Sequence, residues 1–112
     1  MSNITTHVLD TALGRPAQGL PIELWRLEGA QWTLVGSGAT DADGRLKTLL
    51  GGAPLTAGTW KIRFDTGSYF RALGVQGVFP EATVVFTVFE AALHHHVPLL
   101  LSPFGYSTYR GS

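Results

Sequence analysis

An all-β sandwich with one brief helix is the fold this sequence of 112 residues predicts, and three observations predict it. The apolar and β-branched residues come in short runs, several of them alternating with period two. Glycine and proline, 14 and 6 of them, fall mostly between those runs, where they punctuate turns. Only one stretch, Ser68 to Leu73, carries both a helical start signal and a stop. Seven or eight strands with a single short helix fit two packed sheets around one core. The length suits one domain over residues 1–112, and a 45% hydrophobic content can fill its core. No internal repeat, low-complexity tract or linker interrupts it.

Taken in order, Ile4 to Asp10 is β-branched and loosely alternating, so it reads as a strand. Thr11 to Pro21 holds two glycines and two prolines and reads as a loop. Ile22 to Leu27 is a strand, with Ile22 and Leu24 on one face and Glu23 and Trp25 on the other. Glu28 to Gln31 has the length of a hairpin connection, and Trp32 to Thr40 supplies the next strand. Asp41-Ala42-Asp43-Gly44 is a turn, because Asp and Gly tolerate the left-handed conformation. Arg45 to Thr48 is a short extended piece, and Leu49 to Gly58 a second loop. Thr59 to Asp65 alternates most cleanly: Trp60, Ile62 and Phe64 against Lys61, Arg63 and Asp65. Thr66 is the expected cap of the helix and Gly74 its stop. Ala82 to Phe89, His94 to Leu101 and Tyr106 to Tyr109 complete the strands. Pro98 cannot donate to a ladder, so an edge position or a strand start is expected for it.

The charge balance narrows the function classes. Eight basic residues offset eight acidic ones, so nothing favours nucleic acid or an anionic membrane as partner. Charged residues make up 14% of the chain, against about 25% in typical domains; some surface is therefore expected to be buried by association. The absence of cysteine removes disulfides, thiolate catalysis and Cys-ligated zinc. The opening MSNITTHVLD has neither the basic nor the apolar region of a signal peptide, and no apolar run nears the length of a membrane span. A cytoplasmic protein is expected.

Chemistry near neutral pH points to histidine, of which there are four: His7, His94, His95 and His96. Along a strand His94 and His96 share one face and His95 takes the other. The bland alternative is a solvated strand start. A metal site is disfavoured, because no carboxylate sits at ligand spacing nearby, and no cofactor is implied. No nucleophile elbow and no phosphate-binding loop is present. Arg45 and Arg110 are either solvated turn and terminal arginines or clamps for an anion or carbonyl. Tyr106 and Tyr109 are more often packing residues than ligands.

Three segments together resemble the 5-hydroxyisourate hydrolases, which share the transthyretin fold. They are Thr5-Thr6-His7-Val8-Leu9-Asp10-Thr11 with Gly14-Arg15-Pro16-Ala17; Asp43-Gly44-Arg45; and His96-Val97-Pro98-Leu99-Leu100-Leu101-Ser102-Pro103 with the closing Tyr106 to Ser112. The resemblance spans essentially the whole chain, and the terminal Tyr-Arg-Gly-Ser is its most specific part. It implies a transthyretin-like sandwich of two four-stranded sheets with one short helix. It also implies a homotetramer with active sites in the groove between dimers. By the same resemblance His7, Arg45 and His96 are the catalytic set, and Tyr109, Arg110, Gly111 and Ser112 line the site. The implied reaction is metal-free hydrolysis of 5-hydroxyisourate to 2-oxo-4-hydroxy-4-carboxy-5-ureidoimidazoline in urate degradation. The chain departs from the family's usual pattern in having His95 where an aromatic residue is usual. Two other readings stand beside this one: a non-catalytic transthyretin-like carrier of a small planar ligand, and a structural sandwich module, which would be monomeric.

Overall fold

The computed structural model describes residues 3–111. Its elements are β1 (Ile4–Asp10), β2 (Arg15–Pro16), β3 (Pro21–Glu28), β4 (Gln31–Ala39), β5 (Arg45–Leu46), β6 (Gly58–Phe64), α1 (Thr66–Ala72), β7 (Ala82–Val88), β8 (His95–Ser102) and β9 (Gly105–Thr108). One sheet runs β4-β3-β6-β7, antiparallel throughout. The other runs β2-β1-β8-β9, and β5 joins it by pairing with β1 on the edge that β2 also uses. The all-β sandwich with a short helix is thus the observed architecture. The two-residue β2 lies inside the stretch that the sequence marks as loop, because two residues are too few to show a period.

The core lies between the sheets and follows the alternation. Trp60, Ile62 and Phe64 of β6 are fully buried, as are Ile22 and Leu24 beside them on β3. From the other sheet come Ile4, Val8, Leu99 and Leu101. Burying each such side chain is worth about 1.5–3 kcal/mol. A one-residue slip would turn the whole set to solvent, so the inner faces fix the registers. A bulge between Leu24 and Trp25 shifts β3 against β4.

The pairing that matters most for function is parallel. β1 lies beside β8 from Ile4↔His95 to Asp10↔Leu101. Parallel neighbours need a long crossover, and here nearly the whole chain provides it, so the two ends of the sequence meet in one sheet.

Two local expectations are corrected. The helix is capped by Asp65, not Thr66: its carboxylate accepts from the Ser68 amide at 3.1 Å and the Ser68 hydroxyl at 2.7 Å. Thr66 is buried one residue further on, where its hydroxyl donates to the Phe79 carbonyl at 2.6 Å. Pro98 is neither at an edge nor at a strand start; it sits inside β8, between β1 and β9. Its carbonyl accepts from the Thr108 hydroxyl at 2.7 Å, and on a strand a residue's nitrogen points to the same side as its carbonyl. The missing donor therefore faces β9. There the ladder ends at Leu99↔Thr108 and resumes, in the same register, only as a bridge at His96↔Gly111. The partner lapses opposite the proline, so no hydrogen bond is lost.

Candidate active site

Period two sorts the residues of β1 and β8 onto two faces. Thr5, His7 and Leu9, with His96, Pro98 and Leu100, turn away from the core. Pairing then sets Thr5 beside His96 on one edge of β1, and His7 beside Arg45 on the other. His7, Arg45 and His96, far apart in sequence, thus come to one outer face because β1 lies between β5 and β8.

A groove of about 460 Å³ opens on this face, with Asn3, Thr5, Arg45, Lys47, His94 and His96 among its lining residues. Among the described residues no carboxylate lines it, and Arg45 and Lys47 give those residues a positive fixed charge. His96 is half-buried, and its Nδ1 lies 2.8 Å from the Thr5 hydroxyl. Burial, and then the charges of His7, His94 and Arg45, push its pKa below the ordinary 6.5. It is therefore neutral near pH 7 and able to take up a proton.

The Asp41–Gly44 turn places Arg45. One oxygen of Asp41 accepts from the amides of Asp43 and Arg45, both at 2.9 Å. The Arg45 amide is the main reason the Asp41 carboxyl is held below its usual range. Gly44 has φ +76°, and a Cβ on it would lie 2.4 Å from the Val8 carbonyl oxygen. Only glycine lets the turn sit that close to β1. The turn also binds His7, whose Nε2 lies 2.8 Å from the Asp43 carbonyl oxygen. A carbonyl only accepts, so His7 carries a proton on Nε2, and Nδ1 holds the lone pair of its neutral form. His7 does not line the groove itself.

His95 turns to the core side, is 5% exposed, and donates from Nδ1 to the Leu93 carbonyl at 3.0 Å. Of the tail, Gly111 meets the site. Its amide donates to the His96 carbonyl at 2.8 Å, and a Cβ on it would fall 2.6 Å from the imidazole. Tyr109 and Arg110 instead line a second groove of about 270 Å³, with Phe86, His95 and Val97. Ser112 lies outside the described residues. Among the described residues no three metal-ligating side chains converge. Sequence reasoning passed over Thr5 and Lys47 and gave His94 no role. Thr5 was accessible to it, since it lies two residues from His7 and so shares its face.

The site can supply a neutral imidazole, a second imidazole of defined tautomer and a guanidinium on one face. Those are the parts of an acid–base hydrolysis with stabilisation of an oxyanion. Residues 4–111 match the model of the HIUase/Transthyretin family. The chain is 51% identical to 5-hydroxyisourate hydrolase 2 of Rhizobium meliloti, over 97% of this chain and 95% of that one. In shape it is similar to the 5-hydroxyisourate hydrolase of Klebsiella pneumoniae, with a TM-score of 0.87 at 39% identity, covering 100% of both chains. It is also similar to sea bream transthyretin solved with thyroxine, with a TM-score of 0.91 at 31% identity, covering 97% of this chain and 94% of that one. Shape alone does not separate the two activities.

Proposed function

The chain belongs to the HIUase/Transthyretin family, and from that premise we propose that it is an enzyme, a 5-hydroxyisourate hydrolase. The observation that carries this reading is the constellation of His96, Arg45 and His7 on one sheet face, beside a groove whose described lining holds no carboxylate. The 51% identity to a hydrolase supports it further. A carrier needs shape and apolar contact; it has no use for a half-buried imidazole held neutral beside a guanidinium.

Opening a lactam C–N bond needs an activated water, a stabilised oxyanion and a proton for the leaving nitrogen. His96 and His7 divide the base and acid roles. Arg45, whose backbone the Asp41 carboxylate holds, presents fixed parallel donors to the developing oxyanion. The reading includes one domain over residues 1–112, a cytoplasmic location and a homotetramer. The reading keeps the tail from Tyr109 to Ser112 as one wall of a site shared between subunits; within one chain Gly111 contributes its contact with His96, while Tyr109 and Arg110 line the second groove. Among the described residues no helix is long and apolar enough to cross a membrane.

The test is loss of 5-hydroxyisourate absorbance, measured against its spontaneous decay. Wild type is expected to exceed the buffer rate. His96→Asn and Arg45→Ala are expected to lower kcat/KM by about 10²–10⁴-fold while staying folded. A wild-type rate equal to buffer sinks the enzyme reading. Tight binding of a planar ligand without turnover favours the carrier. If wild type is active but both variants keep full activity, the site assignment falls.

A further inference from the structure

The Thr5 hydroxyl lies between two imidazoles. His96 Nδ1 is 2.8 Å from it and His94 Nε2 is 3.0 Å from it. Thr5 is itself 7% exposed, so little water competes for its oxygen. A hydroxyl has one hydrogen to give and two lone pairs. It can donate to one ring nitrogen only, so the two rings cannot both act as acceptors.

We propose that His94, acting through Thr5, sets which nitrogen of His96 carries the proton, and that the pair are positioning residues for the reaction. This rests on the hydrolase reading of the same groove. When His94 is neutral and accepts at Nε2, the Thr5 hydrogen points to it. The Thr5 oxygen then accepts from His96 Nδ1–H, and His96 Nε2 keeps its lone pair free to take a proton from water. When His94 is protonated at Nε2, it donates to Thr5. The Thr5 hydrogen is then released toward His96 Nδ1, and His96 in its neutral form carries its proton on Nε2, ready to give.

No atom other than hydrogen moves in this exchange. A proton leaving His96 Nδ1 for the Thr5 oxygen is matched by the Thr5 hydrogen leaving for His94 Nε2. The positive charge passes from a half-buried ring to an exposed one, which is the direction desolvation favours. Among the described residues the other charged and titratable groups facing the pair are His7 of β1, Arg45 of β5 and Lys47 just beyond it. All are basic or can become so, so none of these competes with Thr5 as a carboxylate acceptor would. The strand alternation that points His95 inward is what lets His94 and His96 reach the same hydroxyl.

The experiment reads the tautomer directly. Long-range proton–nitrogen correlation spectra of the ¹⁵N-labelled full chain report which nitrogen of His96 is protonated. At a pH where both rings are neutral, wild type is expected to show His96 protonated on Nδ1. Thr5→Val and His94→Ala are each expected to move the proton toward Nε2 and to lower kcat at least about tenfold, with KM changed less than twofold. Thr5→Ser is expected to restore both readouts. A His96 tautomer unmoved by both substitutions overturns the proposal, as does a Thr5→Ser variant as impaired as Thr5→Val. His94 is exposed, so His94→Ala keeps the test independent of folding. If wild type does not turn over 5-hydroxyisourate but the tautomer still answers to Thr5 and His94, the hydrolase reading fails and the tautomer control stands.

Discussion

At the scale of the residue, His96 is set apart by where its ring sits rather than by its being histidine. Burial and three basic neighbours lower its pKa from 6.5, and the sign of that shift makes a prediction. The folded ring stays neutral to lower pH than a free one, so the acidic limb of kcat/KM belongs below the ordinary histidine value, and His96→Asn should abolish that limb. The unfolded chain takes the proton first as pH falls. His96 therefore contributes stability above pH 6.5 that is lost as the pH drops through that value toward the folded pKa. Denaturant midpoints of wild type and His96→Asn, measured between pH 7.5 and about 5, should converge on acidification. A midpoint gap that widens instead would contradict the assignment. The Gly111 contact gives a second prediction. Gly111→Ala forces a Cβ toward an imidazole atom 2.6 Å away, and small misplacements of a reacting group can cost about 10²-fold. A loss of at least tenfold in kcat/KM with little change in Tm is expected; equal damage to both would make the contact merely structural.

At the scale of the element, the helix shows how one strand residue anchors its surroundings. The Tyr69 hydroxyl donates to a buried Asp10 oxygen at 2.7 Å, and the other Asp10 oxygen accepts from the amides of Ala12 and Leu13. Burial is the main cause that raises the Tyr69 pKa, ahead of Asp10 itself, so the phenol stays protonated and donating. Tyr69→Phe would leave a buried carboxylate oxygen short of a donor, at a cost of about 1–3 kcal/mol. The urea midpoint should fall without a change in slope, and a loss below about 0.5 kcal/mol would show that water replaces the phenol. Element by element, β1 and the inner face of β6 were legible in the sequence, because burial imposes a period that can be read locally. The helix cap was missed because Asp65 and Thr66 are both good caps, and the choice depends on the distant Phe79 carbonyl. Pro98 was misjudged because its tolerance depends on where the partner strand lapses.

At the scale of the whole molecule, the candidate site exists only through topology. His7 and His96 are 89 positions apart in the chain, and nothing in spacing or composition joins them; the parallel pairing of β1 with β8 does. The resemblance supplied the set before the geometry did, and the geometry added Thr5, Lys47 and His94. The surface also carries a message at this scale. Val85, Phe89, Phe104 and Tyr109 are exposed, and β7 and β9, each the last strand of its sheet, line one groove. Open strand edges with apolar residues beside them invite pairing with another chain. Sedimentation is expected to give four chains, with activity falling as dilution dissociates them. A monomer with full activity would refute the shared site.

The interrupted pairing of the tail has one more consequence. Since Leu99↔Thr108 and His96↔Gly111 belong to one register, a slip of the last strand by one residue would bring Arg110 opposite His96. The space there admits no side chain, so the imidazole acts as a gauge that accepts the tail in one alignment and rejects its neighbour. The same ring that is proposed to do the chemistry thereby checks that the end of the chain has been laid down correctly.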